Sequence, residues 1–187
     1  MTVYGTGALG VDPGAADTGS LYARYGPSLH RYCASRVGQS GAEDVVAETF
    51  LRAHERRAAF DAERGTVQAW LFGIATNLIH RRHRDEVRGL RALARTGVDP
   101  LVEDGHADRA IARADATRLS RAVAEAMAAL PQRQRDVLLL FAVAELEYAE
   151  IAAALGIPRG TVQSALFRAR AKVRAALSPV QESRHDR

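Results

Sequence analysis

A row of arginines that begins with an aromatic ring and an amide is the first chemical feature of this sequence. Residues from Val67 to Ala94 have the periodicity of a helix. Its predicted buried face consists of Val67, Leu71, Ile74, Ala75 and Leu78. One strip along that helix carries Trp70, Asn77, Arg81, Arg84 and Arg88. Guanidinium groups bind phosphates, an indole ring offers a stacking surface for a base, and an amide can pair with a base edge. The strip therefore predicts binding of a nucleic-acid strand. The alternative is that the tryptophan is half-buried packing and the arginines form an ordinary solvated face.

A second chemical feature lies near the C-terminus, where residues 147–177 read EYAEIAAALGIPRGTVQSALFRARAKVRAAL. Two short helices separated by Gly156, with small and branched residues between them, predict a helix-turn-helix whose second helix enters the major groove of DNA. Five basic residues and no acidic residue occur from Ile157 to Leu177. The predicted outer face of the second helix carries Arg159, Thr161, Gln163, Ser164, Phe167 and Arg168. A helical hairpin that does not bind DNA, with Phe167 packed on a neighbouring helix, is the alternative.

The net charge of +4 is a sum of blocks of opposite sign. Residues 70–95 hold six basic and two acidic side chains, and residues 156–187 hold seven and two, so their net charges are +4 and +5. Residues 96–155, between them, hold six basic and ten acidic side chains, a net of −4. Only Lys172 among the 26 basic residues is not an arginine. The two helices predicted to face DNA therefore lie in the two basic segments, and arginine suits bidentate contacts with phosphate and guanine.

Other classes of protein fit the sequence poorly. Cys33 is the only cysteine, so an intrachain disulfide is impossible, and a reducing cytoplasm is the expected location. The longest apolar run has eight residues, whereas a helix that spans a bilayer needs about 20, so no membrane insertion is expected.

His54, His80 and His83 could suggest a metal site. The arginines around the last two would repel a cation, so we expect no metal and no cofactor.

Helical periodicity dominates the chain, and no segment alternates as a strand does. We therefore predict an all-α protein of two small helical domains joined by a flexible linker. The polar segment 96–109, with its Gly and Asp residues, is typical of a linker. The predicted order is an N-terminal tail (1–20), a first domain (21–95), the linker, a second domain (110–178) and a C-terminal tail (179–187). The predicted helices span residues 21–37, 42–60, 67–94, 107–130, 132–144, 148–155 and 161–177.

Three segments taken together resemble a known family. AEDVVAETFLRAH, then VQAWLFGIATNLIHRRHR, then LPQRQRDVLLLF leading into the predicted helix-turn-helix resemble successive signatures of the extracytoplasmic-function sigma factors. These are group 4 of the sigma-70 superfamily, the small two-domain initiation subunits of bacterial RNA polymerase. The resemblance covers about residues 20–178. It implies that the first domain is sigma region 2 and the second is sigma region 4.

The resemblance also implies partners. The helix that contains AEDVVAETF would dock on the β′ clamp helices of core RNA polymerase, and the β flap is a further expected contact. The residues expected to bind core polymerase are Asp44, Glu48, Phe50 and Leu51. Ala47 stands where the family commonly has Gln, so this contact would be weaker or differently made. An anti-sigma factor that masks both domains is expected as a regulator.

Roles toward promoter DNA follow from the same resemblance. The loop from Phe60 to Thr66, with Trp70 and Asn77, would open and read the minus-ten element, where capture of an extruded base turns strand separation into binding energy. Arg81, Arg84 and Arg88 would hold backbone phosphates. The exposed face of the last helix would read the minus-thirty-five element. The acidic linker would thread a positively charged channel of the polymerase, with a solvated spacer as the alternative.

The expected function is that of a sigma factor, which is not itself an enzyme. Two alternative functions are considered beside it. The first is a stand-alone helix-turn-helix transcriptional regulator whose N-terminal domain senses a signal or dimerises. The second is a metal-dependent nuclease or hydrolase that uses the histidines. The strip that carries Trp70 and Asn77 argues against the first, and the absence of a recognisable metal-ligand pattern argues against the second.

Overall fold

The computed structural model describes residues 18–95 and 121–185. Every regular element in these two ranges is a helix, so the all-α prediction is confirmed. The predicted linker at 96–109 and nearly all of the predicted N-terminal tail lie outside the described residues. The helices are α1 (Thr18–Glu55), α2 (Val67–Arg95), α3 (its described part is 121–128), α4 (Gln132–Ala142), α5 (Tyr148–Leu155) and α6 (Arg159–His185), with a short 3-10 turn at Arg57–Ala59.

Helix α1 is broken in the middle by Gly38. Its backbone has φ 75° and ψ 171°, a non-helical conformation that separates two helical stretches within α1. Glycine adopts positive φ without the steric penalty that a Cβ atom imposes. The prediction that a first helix ends near Gly38 is therefore confirmed, although the second stretch ends at Glu55 and a 3-10 turn precedes Phe60.

The ends of α4 and α6 also differ from the predicted ones. Helix α4 ends at Ala142 and not at residue 144, because Glu145 adopts φ 56° and the Leu146 N–H reaches back to the Leu140 carbonyl at 3.0 Å. Helix α6 begins two residues earlier than predicted and continues to His185, so part of the predicted C-terminal tail is helical.

The described residues form two compact units. The first combines residues 18–80 with 140–159, and the second combines 81–95, 121–139 and 160–185. In the first unit Tyr32 is fully buried and joins α1 to α2, since its ring lies 5.4 Å from that of Phe72 and its hydroxyl lies 2.7 Å from the Thr76 hydroxyl. The predicted buried face of α2 is confirmed at Val67, Leu71, Ala75 and Leu78, whereas Ile74 is half-buried.

The second unit has a smaller apolar core. Its buried side chains come from α3, the turn after it, α4 and α6, and include Leu130, Val137, Val162, Leu166 and Ala169. Arg135 closes the end of α3, because its guanidinium donates to the carbonyls of Met127, Ala128 and Leu130 at 2.7–3.0 Å. A cation at the C-terminal end of a helix stabilises the unsatisfied carbonyls and the helix dipole.

Candidate nucleic-acid interface

Helix α2 separates a buried face from the strip of predicted DNA contacts. The Thr66 hydroxyl caps the start of this helix, since it accepts the Ala69 N–H at 3.1 Å. Val67 and Leu71 then point into the core of the first unit, which leaves the strip on the other side. Asn77, Arg81, Arg84 and Arg88 are exposed, and Trp70 is half-buried.

Trp70 borders a cavity at the start of α2. Its ring lies 5.3 Å from the ring of Phe60, at an interplanar angle of 54°. The cavity has a volume of about 320 Å³, and its lining includes both rings, Asp61, Arg64 and the backbone of Gly65. Two aromatic rings with a guanidinium beside them provide stacking surfaces and a cation, which suit a base and its phosphate.

Two arginines of the strip, Arg81 and Arg88, share one carboxylate. Asp85 lies 3.9 Å from the Arg81 guanidinium and forms an ion pair with Arg88, whose Nε also lies 3.4 Å from the Arg84 carbonyl. These side chains are each more than half exposed, so the pairs contribute little stability and exchange readily with solvent. The guanidinium groups are therefore accessible to phosphates of a bound strand.

The turn before α6 has the conformation that a helix-turn-helix requires. Gly156 adopts the left-handed conformation at φ 62°, and the Ile157 N–H bonds to the Ala152 carbonyl at 3.1 Å, which ends α5. Helix α6 begins three residues later, at Arg159.

The predicted outer face of α6 is largely exposed. Phe167 is 75% exposed, so it does not pack on a neighbouring helix within the described ranges. Ser164 donates to the Thr161 carbonyl at 3.1 Å and lies 3.3 Å from the Arg168 guanidinium. Arg159, Gln163, Ser164 and Arg168 are exposed and Thr161 is half-buried. An exposed ring with hydroxyl, amide and guanidinium groups around it can contact the thymine methyl group and base edges in the major groove.

The residues expected to bind core polymerase divide into two sets. Asp44 and Leu51 are exposed on α1, Leu51 at 58%, and Glu48 is a third exposed and pairs with Arg52 at 2.8 Å. Phe50 differs from the expectation of a contact residue, because it is only 5% exposed and packs on Tyr22 with ring centroids 5.1 Å apart. Its contribution is to support the helix from inside.

Sequence reasoning did not single out several residues at the start of α2. Thr66 caps the helix and contacts Glu150, and Gly73 is buried in the middle of α2. A glycine inside a helix, such as Gly73, is unfavourable unless close packing requires it. Glu147 and Glu150 stand three residues apart before an apolar run, a spacing that indicates a capping box at a helix start. Those two signals could have drawn attention to Gly73 and to the pair Glu147 and Glu150.

Two further properties concern the described residues as a whole. None of the helices in residues 18–95 and 121–185 is both long enough and apolar enough to cross a bilayer. In the same two ranges, no three His, Cys, Asp or Glu side chains are grouped as a metal site would need.

Comparison with known proteins matches two segments of the chain to one family. Residues 21–89 match the profile of Sigma-70 region 2, and residues 120–173 match that of Sigma-70, region 4. The ECF RNA polymerase sigma factor SigW of Bacillus subtilis is 32% identical over 166 residues, which cover 82% of this chain and 84% of SigW. The RNA polymerase sigma factor CnrH of Cupriavidus metallidurans is 32% identical over 173 residues, with 88% of each chain covered.

Solved structures give the same result for the fold. CnrH in complex with the cytosolic domain of CnrY has a TM-score of 0.64 at 27% identity, and the match covers 90% of this chain and 93% of CnrH. The sigma factor RpoE of Bartonella quintana, in complex with the anti-sigma factor NepR, has a TM-score of 0.63 at 24% identity, over 85% of this chain and 95% of RpoE. The second match supports the fold alone.

The helical architecture and its two arginine-rich faces define a protein of the class that binds DNA through exposed helices. The profiles and relatives then identify the family: the chain belongs to the extracytoplasmic-function sigma factors of the sigma-70 superfamily. It is a sigma factor that directs RNA polymerase to promoters, and the alternative of a stand-alone regulator is not favoured.

Proposed function

We propose that this sigma factor divides promoter recognition between α2 and α6. Residues 21–95 act as region 2, which binds core polymerase and melts and reads the minus-ten element. Residues 110–178 act as region 4, which reads the minus-thirty-five element and contacts the β flap. The segment 96–109 connects them.

At the minus-ten element, Trp70 and Phe60 hold a base that has left the DNA stack. The cavity beside their rings is bordered by Arg64, and the exposed Asn77 lies on the same strip of α2. Stacking of one base on an aromatic ring supplies about 1–3 kcal/mol, which offsets part of the free energy needed to unpair it. Arg81, Arg84 and Arg88 hold the phosphates of the same strand.

At the minus-thirty-five element, the exposed face of α6 contacts base edges in the major groove. Arg168 and Arg159 bind guanine or phosphate, and Gln163 pairs with a base edge. Phe167 packs on a thymine methyl group, which explains why so large an apolar side chain is 75% exposed.

The protein has no catalytic step of its own in this proposal and acts in the cytoplasm with the polymerase. Asp44, Glu48 and Leu51 on α1 contact the β′ clamp helices, and Phe50 supports them from the core. The relative CnrH is seen with the cytosolic domain of CnrY, and RpoE with the anti-sigma factor NepR. An anti-sigma factor is accordingly the expected regulator of this chain.

The observation that carries the proposal is the half-buried Trp70 beside a 320 Å³ cavity at the head of an exposed arginine row. Its test is transcription in vitro from linear promoter DNA, with the start sites mapped. Core polymerase with the protein should give specific transcripts that core polymerase alone does not give. A protein that fails to bind core polymerase would contradict the proposal.

The role of Trp70 is tested by replacing its ring. Trp70→Ala should retain binding to core polymerase but reduce strand opening at least tenfold, because the stacking surface for the extruded base is lost. Permanganate reactivity of unpaired thymines measures the opening, and Trp70→Phe, which keeps an aromatic ring, is the matched control. Equal opening in Trp70→Ala and the parent protein would show that Trp70 only packs.

A further inference from the structure

A single carboxylate connects the first turns of α2 and α5 inside the first compact unit. The Thr66 hydroxyl, which caps α2, donates to Glu150 Oε1 at 2.8 Å. The other oxygen of the same carboxylate, Oε2, accepts the Glu147 N–H at 3.0 Å and so completes the capping box of α5. Glu150 therefore holds the start of its own helix and the start of a helix 84 residues away in the sequence.

Two glycines allow the backbone of α5 to approach α2. A Cβ atom placed on Gly73 would lie 2.7 Å from the Ala154 carbonyl oxygen, and its next nearest atoms also belong to Ala154. A Cβ atom on Gly65 would lie 2.9 Å from the Cβ of Ala153. Since real Cβ atoms do not come so close to other atoms, only glycine at these positions permits this packing.

The same helix closes one side of the cavity beside Trp70. Ala153 and Gly156, at the end of α5, complete a lining that otherwise comes from residues 59–70. Gln68 adds a weak hydrogen bond between α2 and the segment before α5, with its Nε2 3.4 Å from the Ala144 carbonyl. The surface proposed above to receive an unpaired base is thus partly covered by α5.

We propose that α5 is an intramolecular latch over the cavity that Phe60 and Trp70 border. The latch consists of the Thr66–Glu150 hydrogen bond and the Gly73–Ala154 backbone contact, and it must open before a DNA strand enters. That a DNA strand enters the cavity rests on the proposed function. That α5 covers the cavity does not. In the absence of DNA, only a fraction of the protein molecules then has the latch open. The apparent affinity for the DNA strand is reduced in proportion to that fraction.

The position of Trp70, the only tryptophan of the chain, allows the latch to be read directly. Its fluorescence, excited at about 295 nm, is quenched by acrylamide in proportion to its exposure. Gly73→Ala places a methyl group against the Ala154 carbonyl and should raise the quenching constant about twofold or more. Gly160→Ala is the matched control, because a Cβ atom there meets nothing within 4 Å.

A second pair of variants tests the polar half of the latch without adding bulk. Glu150→Ala removes both the Thr66 contact and half of the capping box, whereas Glu147→Ala weakens the capping box alone. Only Glu150→Ala should raise the quenching of Trp70. This pair also keeps the proposal testable if Gly73→Ala does not fold.

Strand binding provides the functional readout. The probe is a fluorescein-labelled non-template strand of a promoter mapped by transcription in vitro, with its complement as the control strand. Gly73→Ala and Glu150→Ala should bind the non-template strand about three- to tenfold more tightly than the parent chain. Unchanged quenching in both variants overturns the latch, and increased quenching without tighter strand binding overturns its control of access. Failure of the proposed function is seen separately, as normal strand opening by Trp70→Ala in the transcription assay.

Discussion

Arg168 lies on the exposed side of α6, with its guanidinium 3.3 Å from the Ser164 hydroxyl. We expect Arg168→Ala to weaken binding to the minus-thirty-five element by about 1–3 kcal/mol and to relax the base preference at one position, because a bidentate contact is lost. Binding of the complex with core polymerase to a set of single-base promoter variants measures both effects.

Lys172, one turn further along α6 and also exposed, is the matched control for Arg168. Lys172→Ala should weaken all promoter variants by a similar factor, since an ammonium on phosphate carries no sequence information. An unchanged base preference in Arg168→Ala would assign that arginine to the phosphate backbone.

Phe50 and Leu51 illustrate what can be predicted for single residues. The family resemblance implied that both contact core polymerase, yet Phe50 is buried against Tyr22 while Leu51 is 58% exposed. Neighbouring residues of a helix point about 100° apart, so two adjacent side chains can differ sharply in exposure. A motif indicates the helix that binds, and packing determines which of its side chains remain on the surface.

At the scale of whole elements, the break in α1 and the start of α6 provide a pair of glycines with opposite expected effects. Gly38 has φ 75° and ψ 171° with open space around it, so Gly38→Ala should lower the free energy of unfolding by about 1–3 kcal/mol through backbone strain alone. Gly160 is helical and equally open, so Gly160→Ala should raise it by up to about 1 kcal/mol.

Urea unfolding followed by circular dichroism measures both changes. The two variants add the same methyl group, which makes each the control for the other. A destabilisation of similar size in both would mean that the conformation of Gly38 does not limit stability.

The helices could be predicted well in their interiors and less well at their ends. The spacing of Val67, Leu71, Ala75 and Leu78 is a local property, and all four are buried as expected. The end of α4 depends instead on the left-handed Glu145 and a hydrogen bond from Leu146. Such a helix end depends on the backbone conformation of one or two residues. The periodicity of apolar residues along the helix does not specify that conformation.

Across the whole molecule, charge predicts how the protein depends on its partner. Two basic segments, at 70–95 and 156–187, carry net charges of +4 and +5, and a −4 segment lies between them in the sequence. Binding to duplex DNA rests largely on release of counterions from phosphates, which a total charge of +4 supports weakly. We therefore expect specific promoter binding only in the presence of core polymerase.

DNase footprinting at about 150 mM salt checks this expectation. Core polymerase with the protein should protect the promoter, whereas either component alone should not. A clear footprint from the protein alone would restore the alternative of a stand-alone regulator.

The sequence by itself determined the helical class, the family, the buried face of α2 and the exposed rows on α2 and α6. These features follow from periodicity and residue type within one helix, where interactions extend only three or four residues along the chain. Only the tertiary structure decided that Phe50 is internal, that Phe60 and Trp70 border a cavity, and that Glu150 reaches Thr66. Contacts between residues far apart in sequence depend on how backbones pack, and the 2.7 Å spacing at Gly73 is such a contact.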